Sequence, residues 1–252
     1  MKDLRSKWKD GTPTFGPFVQ FPWPGIPEVL AIAGWDFFII DLEHGPINIE
    51  TAENMVRAGD ATGIVPIVRV LRNEPFFIGQ ALNIGAAGVH IPHVSTKEEA
   101  EVAVDSSKFH PLGHRGVCPF VKSAKYSADK AVYYERCNSE TIVILGIEGV
   151  EGIDNLKKIL TVKGVDAIFV GPYDLSQSLG VPGQVKSKVV VKKVHEIVEE
   201  SRKVGVAVGN FVETTDDAKF WVKQGVCYCC LDVDAAIFYK STKRYMDEVK
   251  GS

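Results

Sequence analysis

Several side chains capable of chemistry stand where apolar runs of the sequence stop. "DFFIID" (36–41) runs into Glu43 and His44, leaving Asp41, Glu43 and His44 together at its end. Arg69 closes "IVPIVRV" (64–70), Glu148 closes "TIVILGIE" (141–148), and Asp174 follows "VDAIFVG" (165–171) within "GPYDLS". Glu148 and Asp174 are hard oxygen donors, and with water they suit an octahedral divalent ion such as Mg2+ or Mn2+. Arg69 carries a permanent charge in fork geometry and can hold a carboxylate or polarise a carbonyl oxygen. The ordinary pKa of histidine lies near neutrality, which suits His44 to proton transfer. Gly171 and Pro172 let backbone approach a ligand closely, with N–H groups beside them that can take an anion. A metal chelated by a 2-oxo acid would stabilise an enolate as a Lewis acid. Taken singly, each residue has an ordinary explanation: a strand-end Arg is structural as often as functional, and a loop carboxylate is often a helix cap. Their convergence from four runs is the argument.

That convergence needs a scaffold. Eight apolar, β-rich runs are expected as strands: 14–21, 36–41, 64–70, 87–92, 141–148, 165–171, 205–210 and 226–233. They are continuously apolar rather than alternating, as in a parallel sheet covered by helices on its outer face. Helix-like stretches separate them. Residues 48–63 open on a cap at Asn48 and end near Gly63; 95–107 carry a capping-box pattern from Ser95 to Glu98; 152–162 and 187–205 show helical spacing. Eight such units in 252 residues match one closed α/β barrel of the (β/α)8 TIM type, taken as a single domain over 1–252. An open doubly wound sheet would more often carry a Gly-rich nucleotide loop after its first strand, and "FPWPGIPE" has none. In a barrel, chemistry sits at the C-terminal ends of the strands. The stretch 109–127, too rich in Gly, Pro and charge for one helix, is expected as an active-site loop.

Composition narrows the function classes. Hydrophobic residues make up 45% and charged residues 24%, with a net charge of −3 and no basic stripe, which argues against nucleic acid and anionic membrane as partners. The charged start "MKDLRSKWKD" lacks a signal-peptide core, and no apolar run reaches the length of a membrane span. Five irregularly spaced cysteines point to a reducing, cytoplasmic location, and "CYCC" (227–230) is expected to be buried rather than metal-binding, with Cys227 and Cys229 on one strand face.

"FFIIDLEHGP", "PIVRV", "ALNIGAAGVHIPHVSTKEEAE", "GHRGV", "ILGIEGVEGIDNLKKI" and "VDAIFVGPYDLSQSLGVPGQ" resemble, in order, the HpcH/HpaI aldolases, class II metal-dependent pyruvate aldolases. The resemblance implies a (β/α)8 barrel and reversible cleavage of a 4-hydroxy-2-oxo acid to pyruvate and an aldehyde, with a divalent ion (Mg2+, Mn2+ or Co2+) as cofactor. It implies metal ligation by Glu148 and Asp174, pyruvate contact by Arg69, acid–base work by His44, and a pyruvate-carboxylate site on the backbone at Tyr173 and Asp174, next to the Gly171 and Pro172 already read as an anion approach. It also implies a homo-oligomer, often a hexamer, with a C-terminal helix (236–251) exchanged between subunits.

The chain departs from the family pattern at three places. Asn83 stands where the family commonly pairs Asp with the catalytic histidine; Asn83 is kept as a catalytic candidate, and a neutral amide leaves His44 a weaker or differently assisted base. Gly146 replaces a usual Gln on the face shared with Glu148, which enlarges the pocket or shifts a water. The stretch 184–190 lacks the usual His-Pro, a matter of packing. His93 replaces a usually apolar residue; either it reaches the cavity or, as expected here, it stands as a rim histidine with its own partners. The alternatives to an aldolase are a related 2-oxo-acid lyase or decarboxylase using the same enolate, and a weakly catalytic barrel that binds 2-oxo acids.

Overall fold

The chain folds, in a computed structural model that describes residues 3–251, around one closed parallel barrel. Its strands are β1 (Thr14–Val19), β2 (Phe37–Asp41), β3 (Val65–Arg69), β4 (Gly88–Ile91), β5 (Ile142–Ile147), β6 (Ala167–Val170), β7 (Ala207–Val212) and β8 (Tyr228–Val233). Each pairs with the next, and β8 closes on β1. All eight fall within or beside the runs read from the sequence, so the (β/α)8 expectation holds.

Both faces of the strands are buried, which is why their sequences do not alternate. Phe37, Ile39, Val65, Ile67, Ile142, Ile144, Phe169, Tyr228 and Cys230 pack inside the barrel. Phe38, Ile40, Val68, Val89, Val143, Leu145, Ile168 and Cys229 pack outward against the helices. Cys227 therefore clusters with Cys230 in the interior and not with Cys229, because it precedes the strand and lies outside its alternation. All five cysteines are free. Leu4 and Trp8, from helix Leu4–Lys9, seal the N-terminal end of the interior, and Arg5 of that helix pairs with Asp166 at 2.6 Å.

The helices follow local chemistry. Ile49–Thr62 starts under the Asn48 side chain and ends on Gly63 in the left-handed conformation, as its sequence requires. Lys97–Ser107 begins one residue later than expected: its capping box is Thr96 with Glu99, not Ser95 with Glu98. The stretch 152–162 breaks into Val150–Asp154 and Leu156–Ile159, and Lys188–Lys203 matches its expected range. The long helix Asp234–Lys250 closes the described chain.

Residues 109–127 do not reach the rim of their own barrel. They belong to the return from helix Lys97–Ser107 to β5, which places them at the N-terminal end of the barrel. Arg115, Lys122 and Lys125 line a cleft there with Val65 and Ile142, the first residues of β3 and β5. Length and Gly content marked the segment as a loop but could not tell a helix-to-strand return from a strand-to-helix loop. Among the described residues, no helix is long and apolar enough to cross a membrane.

Candidate active site

Strand periodicity builds the site. Positions 37, 39 and 41 of β2 point inward, as do 65, 67 and 69 of β3, so the top layer of the interior receives Asp41 and Arg69. The same alternation carries β5 through Ile142 and Ile144 to Gly146 and Glu148, and β6 through Ala167 and Phe169 to Gly171. Below this layer lie apolar side chains, together with His90 and Tyr228.

Asp41 organises the layer. It is fully buried and lies opposite Arg69 in the β2–β3 register. Arg69 donates Nε to Asp41 Oδ1 at 2.9 Å and Nη2 to Oδ2 at 2.8 Å. Asp41 also accepts from Gln20 Nε2 at 2.9 Å and from the backbone N–H groups of Glu43 and His44. Burial pushes the Asp41 carboxyl up, but Arg69, Gln20 and the His44 N–H together hold it below its usual value. Asp41 thus fixes both the guanidinium and the turn that carries His44. Arg69 also lies over the Phe18 ring, 4.3 Å from its centroid, and its Nη1 is 3.1 Å from Glu43 Oε2.

His44 projects from the turn with 58% of its side chain exposed, its Nε2 3.8 Å from Glu43 Oε2. That is the placement of a group able to meet substrate. Glu148 is buried, with only 6% of its side chain exposed. Its path depends on two glycines. A Cβ at Gly171 would sit 2.9 Å from Glu148 Cγ, and one at Gly146 would sit 2.6 Å from Glu148 Oε1. The absent side chain at 146 therefore does not leave an empty pocket; the Glu148 carboxylate occupies that space.

His93, expected as a rim histidine with partners of its own, takes those partners from the site itself. Its Nδ1 is 2.6 Å from Glu148 Oε2 and its Nε2 is 3.0 Å from Glu43 Oε1. The backbone at His93 is left-handed, with φ of 55°, an unusual state for a residue with a side chain. The bond to Glu148 raises the imidazole to a pKa of about 9; burial opposes, and the charges of Glu148, Glu43 and Asp174 add to the rise. Burial, with the nearby Glu148 charge, raises the Glu43 carboxyl against the pull of Arg69, His44 and His93. The only sequence signal for His93 was an imidazole after Pro92 where an apolar residue is usual.

Gly171 precedes the short helix Pro172–Ser178, whose first turn carries Tyr173 and Asp174. Tyr173 donates to Glu213 at 2.8 Å, and burial together with that carboxylate pushes the phenol up to about 12. Asp174 lies close enough to act on the charge of His93. Asn83 is not with these groups. It ends helix Pro75–Asn83, and its Oδ1 accepts from Arg115 Nη2 at 2.9 Å. The pairing of Asn83 with His44 is not made within the chain, because the helix after β3 carries Asn83 to the N-terminal end of the barrel.

Among the described residues, no three His, Cys, Asp or Glu side chains form a ready metal cage. The acidic pair, Glu148 and Asp174, still suits a hard ion that keeps waters and takes ligands from substrate, with the glycine at 171 giving Glu148 its room.

A family model for HpcH/HpaI aldolase/citrate lyase matches residues 15–240. The chain is 34% identical over 223 residues to the 5-keto-4-deoxy-D-glucarate aldolase of Escherichia coli (strain K12), covering 88% of this chain and 87% of that protein. A crystal structure of an HpcH/HpaI aldolase/citrate lyase family protein from Burkholderia cenocepacia J2315 superposes with a TM-score of 0.94 at 29% identity, over 99% of this chain and all of that one (100%). The citrate synthase SbnG superposes at 0.89 and 34% identity, over 99% and 98% of the two chains. Barrel and rim thus define a carbon–carbon lyase of the aldolase type. The chain belongs to the HpcH/HpaI aldolase/citrate lyase family.

Proposed function

We propose that the protein reversibly cleaves a 4-hydroxy-2-oxo acid to pyruvate and an aldehyde. The observation that carries this reading is the convergence of Arg69, His44, Glu148 and Asp174 on one rim. Glu148 and Asp174 would hold a divalent ion (Mg2+, Mn2+ or Co2+), which when bound supplies Lewis acidity toward a developing enolate oxygen. Arg69, locked by Asp41, orients the 2-oxo acid and balances negative charge on its oxygens. The N–H groups at Tyr173 and Asp174, beside Gly171 and Pro172, take the substrate carboxylate. His44 accepts the proton of the C4 hydroxyl in cleavage and returns it in synthesis. Asp41 and Glu43 position these groups.

The substrate of the E. coli relative, a 5-keto-4-deoxy-D-glucarate by name, supports a short aldehyde half that carries a hydroxyl and a carboxylate, the fragment left when such a diacid loses pyruvate. The likeness to citrate synthase SbnG supports a second reading, in which the rim stabilises the enolate of an acetyl thioester in place of that of pyruvate; this two-carbon enolate adds to the carbonyl of oxaloacetate, and water releases the thiol to leave citrate. Turnover of a sugar-derived 4-hydroxy-2-oxo acid, measured beside citrate formation, separates the two. EDTA and Glu148→Ala should each abolish cleavage; activity surviving both would contradict the scheme.

We also infer a homo-oligomer, a hexamer by family expectation. Phe238, Tyr239, Tyr245 and Val249 stand exposed on the last helix, an apolar face suited to a neighbouring copy. Five free cysteines suit a reducing compartment such as the cytoplasm.

A further inference from the structure

Opposite the catalytic rim, the N-terminal end of the barrel opens into a cleft of about 950 Å3. Its walls are helix Leu4–Lys9, the starts of β3 and β5, and the return segment before β5. Lys and Arg outnumber Asp and Glu along it by seven to three. Most of these cations already have a carboxylate. Arg5 pairs with Asp166, Arg57 with Glu53, and Lys122 with Asp60. Lys125 and Arg136 share Asp129.

Arg115 has none among the described residues. It is 4% exposed. Its Nη2 meets the Asn83 amide oxygen at 2.9 Å and the Tyr133 hydroxyl at 3.4 Å, and its guanidinium lies 4.7 Å from the centroid of the Phe109 ring. Its side chain also bonds the Cys137 thiol, so its partners are an amide, a phenol, an aromatic face and a thiol, and none is a carboxylate. Its Nε has no acceptor, and neither does the Nε of Arg136 in the same wall. A buried guanidinium is ordinarily matched by an anion. A second buried cation lies beside it: Lys108, behind the cleft, donates to the carbonyls of Asn138 and Thr141. Burial and the charge of Arg5, with a smaller part from Arg115, hold its ammonium down to about 8 against the opposing pull of Asp166 and Cys137. No step at the catalytic rim uses these groups.

We propose that this cleft is a second ligand site, for a small polyanion of the phosphate or polycarboxylate class, with Arg115 as the charge it neutralises. Guanidinium forks match both anions, and the open cleft admits a molecule larger than a single ion.

The probes are tungstate in soaked crystals, located by its anomalous scattering, and inorganic phosphate and citrate in calorimetry on EDTA-treated protein. Tungstate should lie in the cleft beside Arg115, apart from any peak at the rim. The tighter of phosphate and citrate identifies the source of the charge. Arg115→Gln should weaken that binding at least tenfold. Should Arg115→Gln fail to fold, the exposed pair Lys9→Gln and Lys125→Gln decides, with a loss of at least threefold. An empty cleft in the soaked crystals, or an affinity unchanged in whichever variant folds, overturns the proposal. Either result leaves the aldolase reading untouched, since neither probe depends on turnover.

Discussion

His93 Nδ1 lies 2.6 Å from Glu148 Oε2, and through its other nitrogen His93 also reaches Glu43. One imidazole thus ties the end of β5 to the turn after β2. Both nitrogens face carboxylates, so both donate and the ring is an imidazolium at neutral pH, in keeping with a pKa near 9. Gly146 completes the arrangement, because a larger residue would occupy the place of the Glu148 carboxylate.

The His93 tie should be visible as a pH dependence of stability in metal-free protein. The folded-state pKa of about 9 lies above the ordinary 6.5, so the stabilisation is complete below 6.5 and is lost as pH rises toward 9. The side chain is 60% exposed, and solvent screening reduces the effect well below the full linkage value. Melting temperatures from pH 6 to 9.5 should fall more steeply for wild type than for His93→Phe. Parallel curves would show that the tie contributes nothing.

Gly146→Ala should displace Glu148 without unfolding the barrel. The added Cβ would meet Glu148 Oε1 at 2.6 Å, and the backbone of Ile91 and Pro92 at 3.2 and 3.3 Å prevents it from moving away. Overpacking of this kind costs about 1–3 kcal/mol. Binding of Mn2+, followed by electron paramagnetic resonance, should weaken about tenfold, since a 1.4 kcal/mol loss corresponds to that factor. Unchanged Mn2+ affinity in the folded variant would remove Glu148 from the metal site.

Asp41→Asn should be among the more costly single changes in the chain. It leaves the buried Arg69 guanidinium with Glu43 as its remaining ion-pair partner among the described residues, and breaking a buried pair costs about 3–5 kcal/mol. Chemical denaturation measures it. In wild type the Asp41 contribution is present above its ordinary pKa of 3.8, and is lost only as pH falls through the lower folded value. The low-pH arm of the stability curve should flatten in the variant.

Thr96→Ala should cost about 1 kcal/mol through loss of the helix cap, whereas Ser95→Ala should fall within about 0.5 kcal/mol of wild type. Equal costs would contradict the assigned cap.

The strands were legible because burial on both faces writes itself as unbroken apolar runs, and the strand ends exposed Arg69, Glu148 and the Asp41–His44 turn. The capping box was misplaced by one residue because Ser95 and Thr96 are both good caps, each followed three residues on by Glu. Within the chain, Asn83 and the 109–127 segment meet each other, through Arg115, at the end opposite their own rim. Local pattern cannot say which end of a barrel a connection crosses; only counting strands and helices in strict alternation does. His93 was legible as a departure but not as a tie, since its partners come from β2 and β5, far away in sequence.

The central claim is that this rim makes an enolate from a 2-oxo acid. Deuterium exchange at the pyruvate methyl group, followed by proton NMR in D2O with and without Mg2+, Mn2+ or Co2+, tests it without requiring the right aldehyde. The account predicts metal-dependent exchange that Glu148→Gln abolishes. No exchange with any of the three ions, in protein shown to bind pyruvate, would contradict it and leave a barrel that binds 2-oxo acids without turning them over.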